Sequence, residues 1–227
     1  MLAAELHCHS ELSHDGRDPV ELLVEQAAAV GLDVLAVTDH DEIDASREAA
    51  ALAEEYGLVG IVATEVSSAA GHVLGLGVSE AVPAGLSFDE TLDRIHDAGG
   101  IAVVPHAYQK SRHGVAPHIS DDQLARADAI EVFNSRLLTG RGNRRAEAFA
   151  LGHELPAVAG SDAHVSEMVG QAVTQIGTDD RTPEAVLTAI REGHTSVVGR
   201  RTPWRVSFRQ AAGGAKRRVF RRLAELL

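Results

Sequence analysis

Short apolar runs alternate with longer amphipathic segments along most of the chain, and this alternation limits the folds that it can adopt. The runs at 34–37 and 101–104 contain four apolar residues each, which is typical of buried strands. The segment 87–98 instead has apolar residues at helical spacing, with Ser87 as its N-cap. Strands that alternate with helices favour βα units and a mostly parallel sheet. About seven such units in one chain predict an α/β fold of the barrel type rather than an open sheet.

Composition and charge exclude several classes of protein. The chain has 227 residues and is 44% hydrophobic, which is enough for one large core. Its net charge of −12 disfavours tight binding to duplex nucleic acid, which is itself a polyanion. Cys8 is the sole cysteine, so an intrachain disulfide is excluded. No signal peptide or transmembrane run is apparent, and we therefore expect a cytoplasmic protein.

The end of the sequence differs from the rest. Residues 211–214 are alanine and glycine, and the basic stretch after them has apolar residues at helical spacing. We expect a basic amphipathic C-terminal helix at 209–227, after a domain that spans 1–208. The helix could pack on the barrel or on a partner, or it could anchor the chain to an acidic membrane surface or a nucleic acid. Packing is the more common role of a terminal helix, and we favour it.

Histidine and acidic residues recur where the predicted strands end. A single histidine at such a position is more often a surface or core residue than a ligand, so the recurrence carries the prediction. In a parallel barrel the carboxyl ends of all strands lie on one face, so these side chains should converge. Imidazole and carboxylate are ligands of Zn, Mn and Fe. We therefore predict a site for divalent metal ions formed by His7, His9, His40, Glu65, His106, Asp162 and His164, with Asp15 shortly after His9 in the sequence.

Such a centre predicts hydrolytic chemistry. Metal ions polarise phosphoryl oxygens and lower the pKa of a bound water, so neither a serine nor a cysteine nucleophile is needed. Glu65 has two carboxylate oxygens and can bridge two ions, and we assign catalytic roles to Glu65, Asp162 and His164. Cys8 lies between two predicted ligands and should face the other side of the strand, as a small buried side chain.

Basic and polar residues near these ligands are candidates for contact with an anionic substrate. Lys110 and Arg112 follow His106 in a loop, and loops beside active sites commonly bind substrate. We predict that the substrate-binding residues are Lys110, Arg112, His72, Asn134 and Arg136.

Several short motifs, taken in order, resemble those of the polymerase and histidinol phosphatase (PHP) family. The resemblance extends to about residue 208 and implies a distorted (β/α)7 barrel of the PHP type. It also implies a centre of two or three divalent metal ions and phosphoesterase activity. The motifs are His7-Cys8-His9-Ser10, Ser13-His14-Asp15-Gly16, Thr38-Asp39-His40, Glu65, Pro105-His106 and Gly160-Ser161-Asp162-Ala163-His164.

The resemblance also implies how the ligands are shared among three ions. Some family members have a further His or Cys ligand after the fifth barrel strand, where this chain offers only Glu131 and Asn134. Carried over by position, the first ion takes His7, His9, Glu65 and Asp162; the second takes Glu65 and His106; the third takes Asp15, His40 and His164.

The resemblance leaves several functions open. We expect a metal-activated water to hydrolyse a phosphomonoester of a nucleotide or the end of a short oligonucleotide. The alternatives are a small-molecule phosphatase of the histidinol-phosphate type and an amidohydrolase-like metal hydrolase. No lysine is placed to form the bridging carbamate of many amidohydrolases, which disfavours the second alternative. A regulatory module with a degenerate site is disfavoured because nearly all motif residues are present.

Overall fold

The computed structural model describes residues 1–136 and 140–200. The expected C-terminal helix at 209–227 and the expected domain end at 208 lie outside these residues. Within them, no helix combines the length and the apolar character that crossing a membrane requires.

The strands form one sheet of nine in the described residues, in the spatial order β7-β6-β5-β4-β3-β2-β1-β8-β9. Their bounds agree closely with the apolar runs, except that β9 was not expected from the sequence. They are β1 (Leu2–Cys8), β2 (Val34–Val37), β3 (Val59–Ser67), β4 (His72–Leu76), β5 (Ile101–Val104), β6 (Ala129–Asn134), β7 (Ala157–Gly160), β8 (Ala172–Ile176) and β9 (Thr195–Gly199).

Seven of these strands run in one direction, and β4 and β8 run in the opposite one. The distorted α/β barrel is therefore confirmed, but the sheet is more mixed than the expected βα repeat. The cause at β4 is the connection from β3, which is a short turn at 68–71 instead of a helix. A two-strand hairpin of this kind must be antiparallel. As a result, the first residue of β4 lies at the same edge as the last residues of its neighbours.

Helices cover the outside of the sheet. The helix α3 begins at the expected Ser87, whose side chain accepts a hydrogen bond from the backbone of Glu90 in a capping box. Pro183 occupies the first turn of α6, where its missing N–H costs nothing. The α-helices are α1 (Val20–Ala29), α2 (Asp44–Glu55), α3 (Phe88–Asp97), α4 (Asp121–Leu124), α5 (Arg141–Gly152) and α6 (Pro183–Arg191).

The two halves of the sheet meet where β1 lies beside the segment after β7. The backbone N–H of His9 donates to the carbonyl of Ala163, and that of Asp162 donates to the carbonyl of His7, both at 2.8 Å. Farther from the carboxyl ends of the strands, the hydroxyl of Thr174 on β8 accepts a hydrogen bond from the N–H of Ala159 and donates one to its carbonyl. These bonds nearly close the barrel, and they bring the first motif of the sequence beside the last one.

The interior of the barrel is apolar below the strand ends. Alternate residues of β3, Val59, Ile61 and Ala63, belong to the inner cluster, which α6 caps from below. The next residue in this alternation is Glu65, so the same face that fills the core also directs a carboxylate into the barrel at its carboxyl end. Cys8 packs instead among residues of α1 and α2 on the outer face, which confirms that it is a small buried side chain.

Candidate metal centre

Glu65 lies at the middle of the carboxyl edge of the barrel, almost fully buried and surrounded by histidine nitrogens. Both of its oxygens are engaged, which is the arrangement that a bridging ligand requires. Oε2 lies 3.3 Å from His7 Nε2, 3.2 Å from His9 Nε2 and 3.6 Å from His40 Nδ1, and Oε1 lies 3.2 Å from His106 Nε2 and 2.8 Å from His72 Nδ1.

A second group forms around Asp15 and Asp162. Asp15 Oδ2 lies 2.6 Å from His164 Nε2 and 3.6 Å from His40 Nε2. Asp162 Oδ1 lies 3.3 Å from His164 Nδ1 and 3.9 Å from His9 Nε2. The structure thus brings all eight predicted metal ligands together at one edge of the barrel.

Two of these residues have left-handed backbone conformations, with φ of 32° at His106 and 52° at Asp162. Non-glycine residues in this region cost of the order of 1 kcal/mol or more and persist where the surrounding structure fixes them. Both backbones are fixed here, because the N–H of His106 donates to the Glu131 carboxylate and that of Asp162 donates to the carbonyl of His7. The strain therefore coincides with the predicted ligand positions.

The central carboxylates are charged at neutral pH. Burial alone would raise their pKa values, but the neighbouring His7 and His40 hold the pKa of Glu65 well below its usual value. Arg136 and Arg112 do the same for the pKa of Asp162. Both groups are therefore available as anionic ligands.

The histidines respond to their surroundings in opposite directions. Burial lowers the pKa of His40, but Glu65 and Asp15 outweigh it and raise the pKa to about 9. Burial and the nearby Arg136 lower the pKa of His164 to about 3. His164 thus has one unprotonated ring nitrogen at neutral pH, whereas a cation that binds His40 must displace a proton.

Four buried ring nitrogens have no hydrogen-bond partner in the part of the chain that the structure describes. Buried polar atoms are nearly always paired, so each of these needs an explanation. They belong to three predicted ligands, and unpaired ring nitrogens are what a site for cations requires. The atoms are His9 Nδ1, His9 Nε2, His40 Nδ1 and His106 Nδ1.

The donor atoms also form compact sets. Several triplets have one donor atom each within 4.8 Å of one another, including His7-His9-Glu65, His9-Asp15-His40 and His9-Asp162-His164. These sets overlap the predicted ligands of the first and third ions. The chemistry and spacing of the donors therefore fit divalent metal ions, while the number of ions stays a prediction.

The sequence-based reasoning did not give Glu131 a role in the site. Its carboxylate is buried, and Oε1 lies 2.9 Å from His7 Nδ1. Oε2 accepts hydrogen bonds from the backbone of His106 and from the side chain of Asn134, both at 2.9 Å. A signal was present, since Ile130 and Val132 pack outward and the residue between them must face the barrel interior.

Glu5 is a second buried acid that was missed, and it lies below the centre. Burial raises the pKa of its carboxyl group to about 7. The carboxylate accepts backbone hydrogen bonds from Ser161 at 2.9 Å, Gly170 at 3.0 Å and His7 at 3.2 Å. It therefore connects β1 to the segment that carries Asp162.

We expect Glu5→Ala to destabilise the protein by about 3 kcal/mol or more, because it leaves two buried N–H groups and a partly buried one without an acceptor. Glu5→Gln keeps the shape and one acceptor oxygen, so it should cost clearly less. Urea unfolding of the metal-free variants measures both. Equal losses for the two variants would mean that side-chain volume, not hydrogen bonding, is what Glu5 contributes.

A cavity of about 1190 Å³ opens above the predicted ligands. Lys110, Arg112, His72 and Arg136, four of the five predicted substrate-binding residues, line it. Arg112 Nη1 and Arg136 Nη1 lie 3.2 Å and 3.0 Å from the two oxygens of Asp162. Exposed His113 and His118 also line the cavity and had not been singled out.

Asn134, the fifth predicted substrate-binding residue, occupies a different position. It is fully buried, and its side-chain amide donates to Glu131 at 2.9 Å and to Asp162 at 3.3 Å. These contacts suit a residue that orients predicted ligands, and a direct contact with substrate stays an untested prediction.

Comparison with known proteins extends these findings. A 3′,5′-nucleoside bisphosphate phosphatase of Chromobacterium violaceum is 39% identical over 88 residues, which cover 37% of this chain and 30% of the phosphatase. MJ1587, an uncharacterised protein of Methanocaldococcus jannaschii, is 33% identical over 144 residues, or 59% of this chain and 82% of that protein. A two-domain protein of Bacteroides vulgatus that contains a PHP-like metal-dependent phosphoesterase has the same fold, with a TM-score of 0.75 at 19% identity over 88% of this chain and 65% of that one.

The family comparison covers most of the barrel. The PHP domain matches residues 5–143, more than half of the chain, and a PHP-associated region matches residues 140–195. These ranges include every predicted metal ligand. The chain therefore belongs to the PHP domain family of metal-dependent phosphoesterases.

Proposed function

We propose that the chain hydrolyses a phosphomonoester of a nucleotide or of the end of a short oligonucleotide, with two or three divalent ions of Zn, Mn or Fe. The observation that carries this proposal is the cluster of imidazole and carboxylate donors around Glu65, which opens into a cavity with basic residues at its wall. When bound, metal ions would activate a water and stabilise the charge that develops on the phosphoryl oxygens.

The residues of the chain supply the remaining parts of the reaction. The proposed holders of the ions are His7, His9, Asp15, His40, Glu65, His106, Asp162 and His164. Arg112 and Arg136 are partly exposed, and each carries N–H groups that suit a phosphate. Both contact Asp162 at the floor of the cavity, so their positive charge lies beside the predicted ligands. Exposed Lys110 could neutralise a more distant part of the substrate.

The size of the cavity supports a nucleotide over a smaller phosphate ester. Pockets for small ligands usually measure about 300–1,000 Å³. The present cavity, at about 1190 Å³, has room for a base and a sugar beside the phosphate. The partial similarity to the bisphosphate phosphatase points to the same class, although it covers only 37% of this chain.

A substrate screen with metal-loaded protein tests this proposal. Chelated protein should be inactive, and added Mn or Zn should restore hydrolysis of nucleoside monophosphates, 3′,5′-bisphosphates or short RNA ahead of histidinol phosphate. Amides and lactams serve as the control for amidohydrolase chemistry. Preference for histidinol phosphate would replace the nucleotide proposal, and hydrolysis of amides without any phosphate ester would overturn it.

A further inference from the structure

Asp39, the middle residue of the Thr38-Asp39-His40 motif, has no part in the proposed reaction so far. Its side chain is fully buried, although carboxylates are seldom buried without a partner of opposite charge. Among the described residues, its ion-pair partner is a histidine, His9, and not a lysine or arginine. The buried carboxylate therefore needs positive charge that the basic side chains of the described residues do not supply.

The Asp39 carboxylate is held in place by Ser10. The backbone N–H of Ser10 donates to Oδ1 at 2.7 Å, and the Ser10 hydroxyl donates to Oδ2. That hydroxyl oxygen itself accepts from the backbone N–H of Leu12 at 3.1 Å. The backbone of Asp39 is also fixed, because its carbonyl accepts from the N–H of Glu65 at 3.1 Å. Both carboxylate oxygens thus act as acceptors, which suits the ionised form.

The two histidines at the carboxyl end of β1 each lie between two carboxylates. On one side, Nε2 of His7 and Nε2 of His9 lie 3.3 Å and 3.2 Å from Glu65 Oε2. On the other side, His7 Nδ1 lies 2.9 Å from Glu131 Oε1. His9 Nδ1 lies 3.9 Å from Asp39 Oδ1. Each ring is therefore flanked by the central carboxylate and by a second, buried one.

The Nδ1 atom of His9 is one of the buried ring nitrogens without a hydrogen-bond partner in the described part of the chain. A neutral imidazole that binds a cation through Nε2 has its proton on Nδ1. Histidine ligands almost always donate this second N–H to a carboxylate, a carbonyl or a water. Asp39 presents a carboxylate oxygen to this nitrogen from slightly beyond hydrogen-bond length.

We propose that Asp39 is a positioning residue, which accepts the Nδ1 proton of His9 when Nε2 of this histidine binds an ion of the proposed metal centre. The hydrogen bond would fix the His9 ring and make Nε2 a stronger donor. A bound ion would in turn supply, across the imidazole, the positive charge that the buried carboxylate lacks. The inference rests on the proposed metal centre and goes beyond it by giving a function to a motif residue that is not itself a predicted ligand.

Asp39→Asn separates this role from that of holding Ser10. Asparagine keeps the shape, and its oxygen and NH₂ group can bond the Ser10 N–H and hydroxyl, but the negative charge is lost. We expect the zinc affinity, measured by competition with a metal-binding dye, to fall about 10- to 100-fold. The metal-free variant should unfold at the urea concentration of the wild type or above it, because a buried charge is removed. A wild-type zinc affinity, or a clear fall in the urea midpoint, would overturn the inference.

Two further variants serve as controls. The Asp33 carboxylate also accepts a backbone N–H, that of Ala3 at 2.9 Å, but Asp33 precedes β2 whereas Asp39 follows it. Asp33→Asn should therefore keep the wild-type zinc affinity. Asp39→Ala also leaves the Ser10 N–H without its acceptor, so it should lower both the zinc affinity and the urea midpoint. Equal losses of zinc affinity in Asp33→Asn and Asp39→Asn would count against a specific role of Asp39.

A measurement on the wild-type protein does not depend on the folding of a variant. In the zinc-loaded protein, ¹H and ¹⁵N spectra should show a proton on His9 Nδ1, shifted downfield and protected from exchange by its hydrogen bond. A proton on His9 Nε2 would contradict the inference while leaving the metal centre in place. If the wild type binds no zinc, the proposed function fails together with the inference, and that result differs from a loss confined to Asp39→Asn.

Discussion

Glu65→Gln should lower the rate of phosphate-ester hydrolysis by on the order of 10³-fold or more, and it should also remove metal ions from the purified protein. Glu65 contributes both of its oxygens to the centre, with His7 and His9 near one oxygen and His106 near the other. Glutamine retains a single neutral oxygen, and its amide directs N–H groups at histidine nitrogens that should face a cation. The site therefore loses its bridge and its central negative charge together.

The measurements are the steady-state rate with the best substrate of the screen and the metal content of the same preparation. Glu48→Gln is the matched control, because this exposed glutamate on α2 neither lines the cavity nor belongs to a compact set of donor atoms. We expect it to have wild-type activity and metal content. An active Glu65→Gln protein with all its ions would show that Glu65 does not bridge, and it would remove the main support for the proposed centre.

The sequence was sufficient to predict which face of the sheet a side chain points to, where that follows from the two-residue repeat of a strand. In β3 the inward residues Val59, Ile61 and Ala63 lead directly to Glu65, so its direction follows from the alternation. The closure of the barrel was also implied, since the first and last motifs of the sequence must share an edge if the strands are parallel. The backbone hydrogen bonds from His9 to Ala163 and from Asp162 to His7 confirm that these segments meet.

Other features depend on contacts that a single sequence does not contain. The reversal of β4 follows from a turn of a few residues, and it changes the neighbours of His72. The β1 strand shifts its register against β2 between Glu5 and Cys8, so simple alternation fails there. Because of this shift, Leu6 belongs to the inner cluster and Cys8 to the outer one, while the histidines on either side of Cys8 reach the centre.

Glu131→Gln should weaken metal binding by about 10- to 100-fold, although Glu131 is not expected to touch an ion. In the wild type its Oε1 accepts a hydrogen bond from His7 Nδ1, which leaves His7 Nε2 free to face Glu65. Its Oε2 is committed to the His106 backbone and to Asn134. If the glutamine NH₂ group faces His7, Nδ1 must accept a hydrogen bond, and a neutral ring then has its proton on Nε2. If the amide is flipped, the NH₂ group instead faces two other donors, the His106 backbone N–H and the Asn134 amide.

The affinity is measured by competition with a metal-binding dye, and the protonation of the two His7 ring nitrogens by ¹⁵N chemical shifts in the metal-free protein. Both should change in Glu131→Gln while the fold, followed by circular dichroism, is retained. A wild-type affinity together with unchanged His7 ¹⁵N shifts would contradict the positioning role.

Gly160→Ala disturbs the same contact between Glu131 and His7, and it should also lower the metal affinity. A Cβ at Gly160 would lie 2.4 Å from Glu131 Oε1 and 2.4 Å from His7 Cβ, so the pair cannot keep its present geometry. Gly152→Ala is the matched control, because a Cβ at this helical position meets nothing within 4 Å. That control should keep the wild-type affinity and gain about 0.4–1 kcal/mol of stability. If Gly160→Ala binds metal as tightly as Gly152→Ala, the close packing of Glu131 against His7 does not determine how the centre holds its ions.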